Sequence, residues 1–481
     1  MQARGTPELL LDVAALLFTS ALLGSHAEVS SAPAQSVTAP APAVPGTQEQ
    51  NISDAPSPLL LGAASDPIAL PRLFLSNSYA RAAPLSEVAS MAGTDLLHQL
   101  AIMPQTTLSS FIRDNPSTVQ NLLTSPPKAA NVTSWWGTLN ATEQQSLVST
   151  APEVVGNLDG IPTALRDTAN RAWIAQKIQT LNATVATDAG RASADTAEHR
   201  AHMLAEVRAA LVTTPSQPER QLLSVNPDGS GRAAIVLGDI ATADYVTYLV
   251  PGMFFQVDGQ INDWTDVAAR YYDEQVAWLK TIQAVQPDAA HKTVAVVSWM
   301  GYQTPDLTNI GSLDLAYEGR DAIAHAIQGL QAERAGNEPY VTVVAHSYGS
   351  TAVLMALTQY DFSIDALAVV GSPGSAAQSV HDLHVRGGNV YVGEAAWDPV
   401  PNSSWFGSDP GSAAYGAKPM DVKGTIDPIL GTPLLGSVGH NDYFAPGSES
   451  FRNMALVGLG EGQLVTTGST SDAATTLAMA R

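Results

Sequence analysis

The chain has 481 residues, 45% of them apolar and 14% charged, so it is long enough for two or three hydrophobic cores and too apolar to stay disordered. Its formal net charge of −22, from 45 acidic against 23 basic side chains, repels phosphate backbones and argues against nucleic acid as a partner. With no cysteine, disulfide frameworks, thiolate catalysis and thiolate-held metals are excluded, and any nucleophile is oxygen or nitrogen.

Residues 1–27 read as a signal peptide: Arg4 precedes Leu9-Leu10-Leu11 and the run Val13 to Leu23, and Ser25-His26-Ala27 supplies small residues at the cleavage position. The expectation is export to the medium or the cell envelope, with a cytoplasmic location as the alternative because Glu8 and Asp12 interrupt the pattern. The run is too short to span a bilayer, so no stable membrane insertion is expected. Residues 28–78 read as a linker, typified by the Ala/Pro-rich stretch Ala32 to Thr47.

Residues 79–215 carry apolar side chains at helical spacing, as in Trp173, Ile174, Ile178, Leu181 and then Met203, Leu204, Val207, and predict a helical domain that could serve as a lid or cap. Within it, Pro152 to Pro162 (PEVVGNLDGIP) is punctuated as a tight connection before a helix starting near Thr163. From 216 to 465 the period changes. Short β-branched runs at Ala233–Leu237, Tyr245–Val250, Val294–Ser298, Tyr340–Val344, Ala366–Val370 and Asn389–Val392 alternate with helical stretches at Trp264–Val285, Leu313–Arg334 and Gly349–Tyr360. Nearly continuous apolar strands separated by helices predict an α/β fold, a doubly wound and mostly parallel sheet covered on both faces. Residues 466–481 read as a flexible tail.

The most informative segment is Val341 to Ser350 (VTVVAHSYGS). A buried strand runs into Ser347, small residues stand two positions away on either side (Ala345 and Gly349), and a helix follows. That is what a nucleophile elbow requires, because a serine on so sharp a turn leaves no room for bulky flanking side chains. In α/β-hydrolases the acid and then the histidine follow the nucleophile along the chain. Only His381, His384 and His440 come after Ser347. Asp398 lies just past the strand Asn389–Val392 and is held extended by Pro399, which makes it the best acid, with Glu394, Asp409 and Asp421 as alternatives. Accepting Asp398 leaves His440 as the base.

Acyl transfer also needs two N–H donors aimed at the developing oxyanion. The residue after the nucleophile, Tyr348, supplies one, and the strand exit Leu249 to Phe255 supplies the other at Met253, with Gly252 allowing close approach. Phe254, Trp299, Tyr302 and the neighbour His346 stand at strand ends on the same rim and are candidates for substrate contact. His199/His202 and His381/His384 have helical spacing but no companion motif such as H-E-x-x-H, so no metal site is expected, and no cofactor is needed.

Taken together, the ordered motifs PEVVGNLDGIP, YLVPG, SWMGYQTP, VVAHSYGS, VVGSPG, DPV and GHNDYF resemble an actinobacterial α/β-hydrolase family catalogued as a domain of unknown function, over roughly Trp135 to Phe451. The resemblance implies an α/β-hydrolase fold with an associated helical segment and a Ser347, Asp398, His440 triad, and it implies no substrate. Two departures stand out, Ala345 in place of a glycine and the bulk of Met253-Phe254-Phe255 after the Pro-Gly turn. The expected function is that of a serine hydrolase acting through an acyl-enzyme on a small ester or lipid. A binding or cell-envelope protein on the same scaffold, and a peptidase or acyltransferase using the same residues, remain as alternatives.

Overall fold

The computed structural model describes residues 82–187, 190–287 and 291–467. The expected signal peptide, the linker and residues 468–481 of the expected tail lie outside the described residues.

Seven helices come first: α1 (Leu85–Val88), α2 (Gly93–Ile102), α3 (Gln105–Asp114), α4 (Pro116–Thr124), α5 (Ala129–Thr138), α6 (Ala141–Thr150) and α7 (Pro152–Asn157). They enclose a small core of their own around Leu96, Leu97, Phe111, Trp135, Trp136 and Leu147. Two long helices follow, α8 (Thr163–Ala186) and α9 (Arg191–Ala210), whose apolar stripes (Trp173, Ile174 and Met203, Leu204, Val207) are buried in the core of the sheet itself.

The sheet has eight strands: β1 (Arg220–Asn226), β2 (Arg232–Leu237), β3 (Tyr245–Val250), β4 (Val294–Met300), β5 (Tyr340–His346), β6 (Ala366–Val370), β7 (Val390–Gly393) and β8 (Lys418–Pro419). Their order across the sheet is β1-β2-β4-β3-β5-β6-β7-β8, with β2 antiparallel to both its neighbours and all other pairs from β4 to β8 parallel. Helices α10 (Val257–Val285) and α13 (Glu449–Gly458) cover one face, and α11 (Asp314–Glu333) and α12 (Tyr348–Gln359) the other. Successive residues of a strand go to opposite faces, so Val344 joins the first core while Val343 and Ala345 join the second. Both faces being dry is why these strands read as unbroken apolar runs.

The sequence reading missed β1. Its text, RQLLSVN, is interrupted by polar residues, and its pairing with β2 slips between Leu222 and Ser224, which spoils the period-two pattern.

As an outer strand, β1 presents open backbone groups, and side chains from the helical segment close them. The backbone N–H groups of Leu222 and Val225 donate to Asp167 and Asn157, while Arg171 and Asn170 donate to the carbonyls of Arg220 and Leu222. This explains the PEVVGNLDGIP motif. Asn170 also donates to the Gly156 carbonyl at 2.8 Å, and a Cβ on Gly156 would lie 1.9 Å from Asn170 Oδ1. Arg166 donates to the same carbonyl and pairs with Asp159 at 2.8 Å. The motif is therefore a clasp between helices and sheet edge. Asn170→Ala leaves the buried Leu222 carbonyl without its donor, and the expected loss is about 1–3 kcal/mol, read as a lower urea midpoint.

Candidate active site

Strand β5 delivers Ser347 at φ 54° and ψ −134°, a backbone conformation that an L-residue holds only under constraint. The constraint is visible. Ser347 N–H donates to the Val370 carbonyl of β6 at 3.1 Å, and the Ser350 hydroxyl ties back to the Ser347 carbonyl at 2.6 Å. Gly349 has no space for a side chain, since a Cβ there would lie 2.2 Å from the Pro251 carbonyl oxygen. Ala345, in contrast, sits in register between Val250 of β3 and Val369 of β6, fully buried, so a methyl group is accommodated where the motif more often has glycine.

The serine of the elbow, the acid past β7 and the remaining histidine converge. Ser347 Oγ lies 2.8 Å from His440 Nε2, and His440 Nδ1 lies 2.9 Å from each carboxylate oxygen of Asp398. All three are buried. A carboxylate only accepts, so the proton on His440 belongs on Nδ1 and the Nε2 lone pair faces the serine. Asp398 also accepts from Tyr443 Oη at 2.6 Å and from the Val400 backbone at 3.0 Å. Burial pushes the Asp398 carboxyl up, but the hydrogen bonds and charge of His440, with Tyr443 and Val400, outweigh it and hold it below the ordinary carboxylate value. Of the alternative acids, Glu394 sits beside Asp409, where burial and that neighbour push it up to about 7, and Asp421 pairs with Lys423 at 3.4 Å.

Residues 226–408 match the model of a family described as alpha/beta hydrolase. The sheet and the helices on both its faces, together with this match, give the chain an alpha/beta-hydrolase fold. An uncharacterized protein of Mycobacterium tuberculosis strain H37Rv is 28% identical over 381 residues, covering 69% of this chain and 56% of that protein, so the chain spans little more than half of this relative's length. An uncharacterized protein of Mycobacterium bovis is 27% identical over 252 residues, covering 48% of this chain and 87% of that one. Among solved structures, carboxyl esterase 2 of Tuber melanosporum gives 11% identity and a TM-score of 0.32 over 53% of this chain and 90% of its own. An esterase of Pyrobaculum calidifontis gives 11% and 0.30 over 59% and 96%.

In this fold the strand exit at Gly252 runs against the elbow. A Cβ on Gly252 would meet Ser347 Cβ at 2.5 Å and Oγ at 3.0 Å, so the backbone there passes directly against the serine. The bulk of Met253-Phe254-Phe255 is absorbed by a turn with Phe254 at φ 64°, whose N–H donates to Pro305 and which leaves the ring half-buried. Ser347 N–H is already taken by β6, whereas Tyr348, opening helix α12, has no intrahelical acceptor for its own N–H.

Trp299 and Tyr302, expected at the rim, lie instead in the packed layer beneath it. They stack on each other at 5.9 Å, Tyr302 stacks on Tyr348 at 6.5 Å, and Tyr302 Oη donates to the Pro251 carbonyl at 2.9 Å. Their work there is to fix the Pro251-Gly252 turn. A strand-end position does not say which face of the sheet a side chain takes, and both residues belong to the core under α11 and α12.

His346 points the other way, its ring 4.6 Å from that of His440, and its Nε2 lies 2.8 Å from the His440 carbonyl. Burial and the neighbouring His440 push it down to about 3, so it is neutral, and since a carbonyl only accepts, Nε2 carries the proton.

The sequence reading passed over Tyr443 and Gly371. Tyr443 is fully buried and bridges Asp398 to the Ala395 N–H. Gly371, at φ 58°, lies under the Asp398–His440 pair, where a Cβ would come within 3.0 Å of both. Asp442 holds the turn before His440 by accepting from the Val438 and Gly439 N–H groups. Position within GHNDYF and VVGSPG was the available signal for Tyr443 and Gly371.

Elsewhere, one ligand atom each from His202, Glu206 and Asp258 lie within 4.8 Å of one another, with His199 also reaching Asp258 at 3.3 Å.

The titrations set a stability profile. His346 titrates near 6.5 when unfolded and near 3 when folded, so its contribution is complete above about 6.5 and is lost as pH falls toward 3. Glu394 has the opposite sign, contributing below about 4.5 and losing that contribution as pH rises through about 7. Thermal unfolding followed against pH is expected to show the acid-side loss, and His346→Gln, which keeps a donor but cannot charge, is expected to flatten it.

Proposed function

We propose that the protein is a serine hydrolase of carboxylic esters. One observation carries the reading: an unbroken hydrogen-bond chain from the Ser347 hydroxyl through His440 to a buried, ionised Asp398, with the serine on a strained strand-to-helix turn. In this mechanism Ser347 Oγ attacks the ester carbonyl while His440 Nε2 takes its proton. Asp398 stays ionised and stabilises the imidazolium. The oxyanion accepts from the Tyr348 and Met253 N–H groups, and collapse expels the alcohol, which takes the proton back from His440. Water then repeats the sequence on the acyl-enzyme and releases the acid. Phe255, Trp264 and Phe444 in edge-to-face contact, with Phe444 against His346, support an apolar acyl group as the part of the substrate held near the serine.

Two variants test the assignment. Ser347→Ala is expected to abolish labelling by a fluorophosphonate probe and to lower ester turnover by about 10⁴- to 10⁶-fold. Undiminished labelling removes Ser347 from the mechanism. Tyr443→Phe deletes the donor to Asp398 and the acceptor for Ala395, and is expected to lower kcat by about 10-fold or more with KM little changed, as for loss of one charge-assisted hydrogen bond worth about 1.5–3 kcal/mol.

A further inference from the structure

Helix α9 carries His199, His202 and Glu206 at a spacing that puts all three on one face, away from its buried Met203, Leu204 and Val207. Opposite them stands Asp258, at the start of α10. Its two carboxylate oxygens are divided between the rings: Oδ1 lies 2.9 Å from His202 Nδ1, and Oδ2 lies 3.3 Å from His199 Nδ1. Glu206 turns to the same place and accepts from the Gly259 N–H. The ligand atoms of His202, Glu206 and Asp258 lie within 4.8 Å of one another, the only such grouping of three among the described residues. Along α9 the two histidines have no companion of the kind a metal motif supplies. The companion comes 56 residues after His202, from another helix.

The backbone that holds these groups is fixed from within. Met203 and Val257, the neighbours of His202 and Asp258, both pack on Gly231, where a Cβ would lie 2.3 Å from Met203 Sδ and 2.8 Å from Val257 Cβ. Both are buried, and the Val257 N–H donates to the Ser230 carbonyl. A site whose supporting residues are locked by packing is pre-organised for a ligand.

Two carboxylates share this small volume, and among the described residues no lysine or arginine forms an ion pair with either. On a chain of net charge −22, a divalent cation between them would replace repulsion by attraction. Imidazole nitrogens combined with carboxylate oxygens suit zinc, which takes such ligands at about 2.0–2.2 Å in a tetrahedron, rather than calcium or magnesium, which favour oxygen alone. Ligand atoms around a tetrahedral zinc stand roughly 3.3 Å apart, close to the two histidine–aspartate separations seen here. The histidine side chains, 50% and 63% exposed, are free to close the remaining distance by small rotations.

We infer that His199, His202, Glu206 and Asp258 bind a divalent cation of the zinc class, and that the ion pins α9 to the start of α10. Helix α10 opens two residues after Phe255, at the end of the segment that leaves β3 and passes the serine at Gly252, so the ion would tie that segment to the helices before the sheet. The inference stands whether or not the protein is a hydrolase.

The test titrates zinc chloride into full-length protein stripped of metal by a chelator, followed by isothermal calorimetry, with cobalt(II) as a spectroscopic substitute. One equivalent is expected to bind, to give the visible absorption of four-coordinate cobalt, and to raise the melting temperature. His202→Ala and Asp258→Asn are each expected to weaken binding at least about 10-fold and to remove the thermal shift. Glu206→Gln, which keeps an acceptor for the Gly259 N–H, gives the same reading if Asp258→Asn misfolds. The double variant His381→Ala with His384→Ala, the other histidine pair three residues apart, is expected to bind zinc as the parent does. Protein that takes up no zinc, uptake that well-folded His202→Ala and Asp258→Asn leave unchanged, or equal weakening in the His381/His384 variant overturns the site. Zinc bound there without a rise in melting temperature overturns the pinning.

Discussion

Ser347 occupies a backbone conformation that costs on the order of 1–3 kcal/mol, and much of the surrounding structure can be understood as what keeps it there. The restraint has three sources: the β6 carbonyl that takes its N–H, the bare glycines at 252 and 349 that let the neighbouring turn close against it, and Tyr302, which fixes that turn from below. The result is a hydroxyl held within hydrogen-bond reach of a histidine 93 positions later.

The histidine side of the site is built with equal economy. One short motif, GHNDYF, supplies His440, the carboxylate that shapes its turn (Asp442) and the phenol that orients its partner acid (Tyr443). The neutral His346 holds the same loop by its backbone carbonyl, so two consecutive residues of the elbow contact both ends of the His440 residue. Such over-determination is what keeps a buried polar network in one arrangement.

Much of this was legible in the sequence. Apolar runs of strand length alternating with helical stretches gave the covered parallel sheet, and the elbow context of Ser347, the strand-end place of Asp398 and the chain order that leaves His440 picked out three residues that the fold brings together. What stayed hidden depends on juxtapositions that no local pattern encodes. Gly371 and Tyr443 matter because of where Asp398 lies, and Trp299 and Tyr302 turn into the core because of the face they occupy. The motif PEVVGNLDGIP was conspicuous too, yet its Asn157 closes a strand edge and its Gly156 carbonyl and Asp159 anchor Asn170 and Arg166 of the next helix. A dense, specific motif reports a demanding local geometry, whether or not chemistry takes place there.

That clasp also bears on how the protein can be divided. With Asn157, Asp167, Asn170 and Arg171 in place, the outer strand of the sheet has no row of free amides to offer a neighbour. A fragment beginning at the first strand would expose that row together with the apolar surface now under Trp173 and Leu204, an invitation to strand-to-strand assembly. The helices before the sheet thus act as a built-in chaperone for its margin, and any piece of this chain that keeps the outer strand covered includes them.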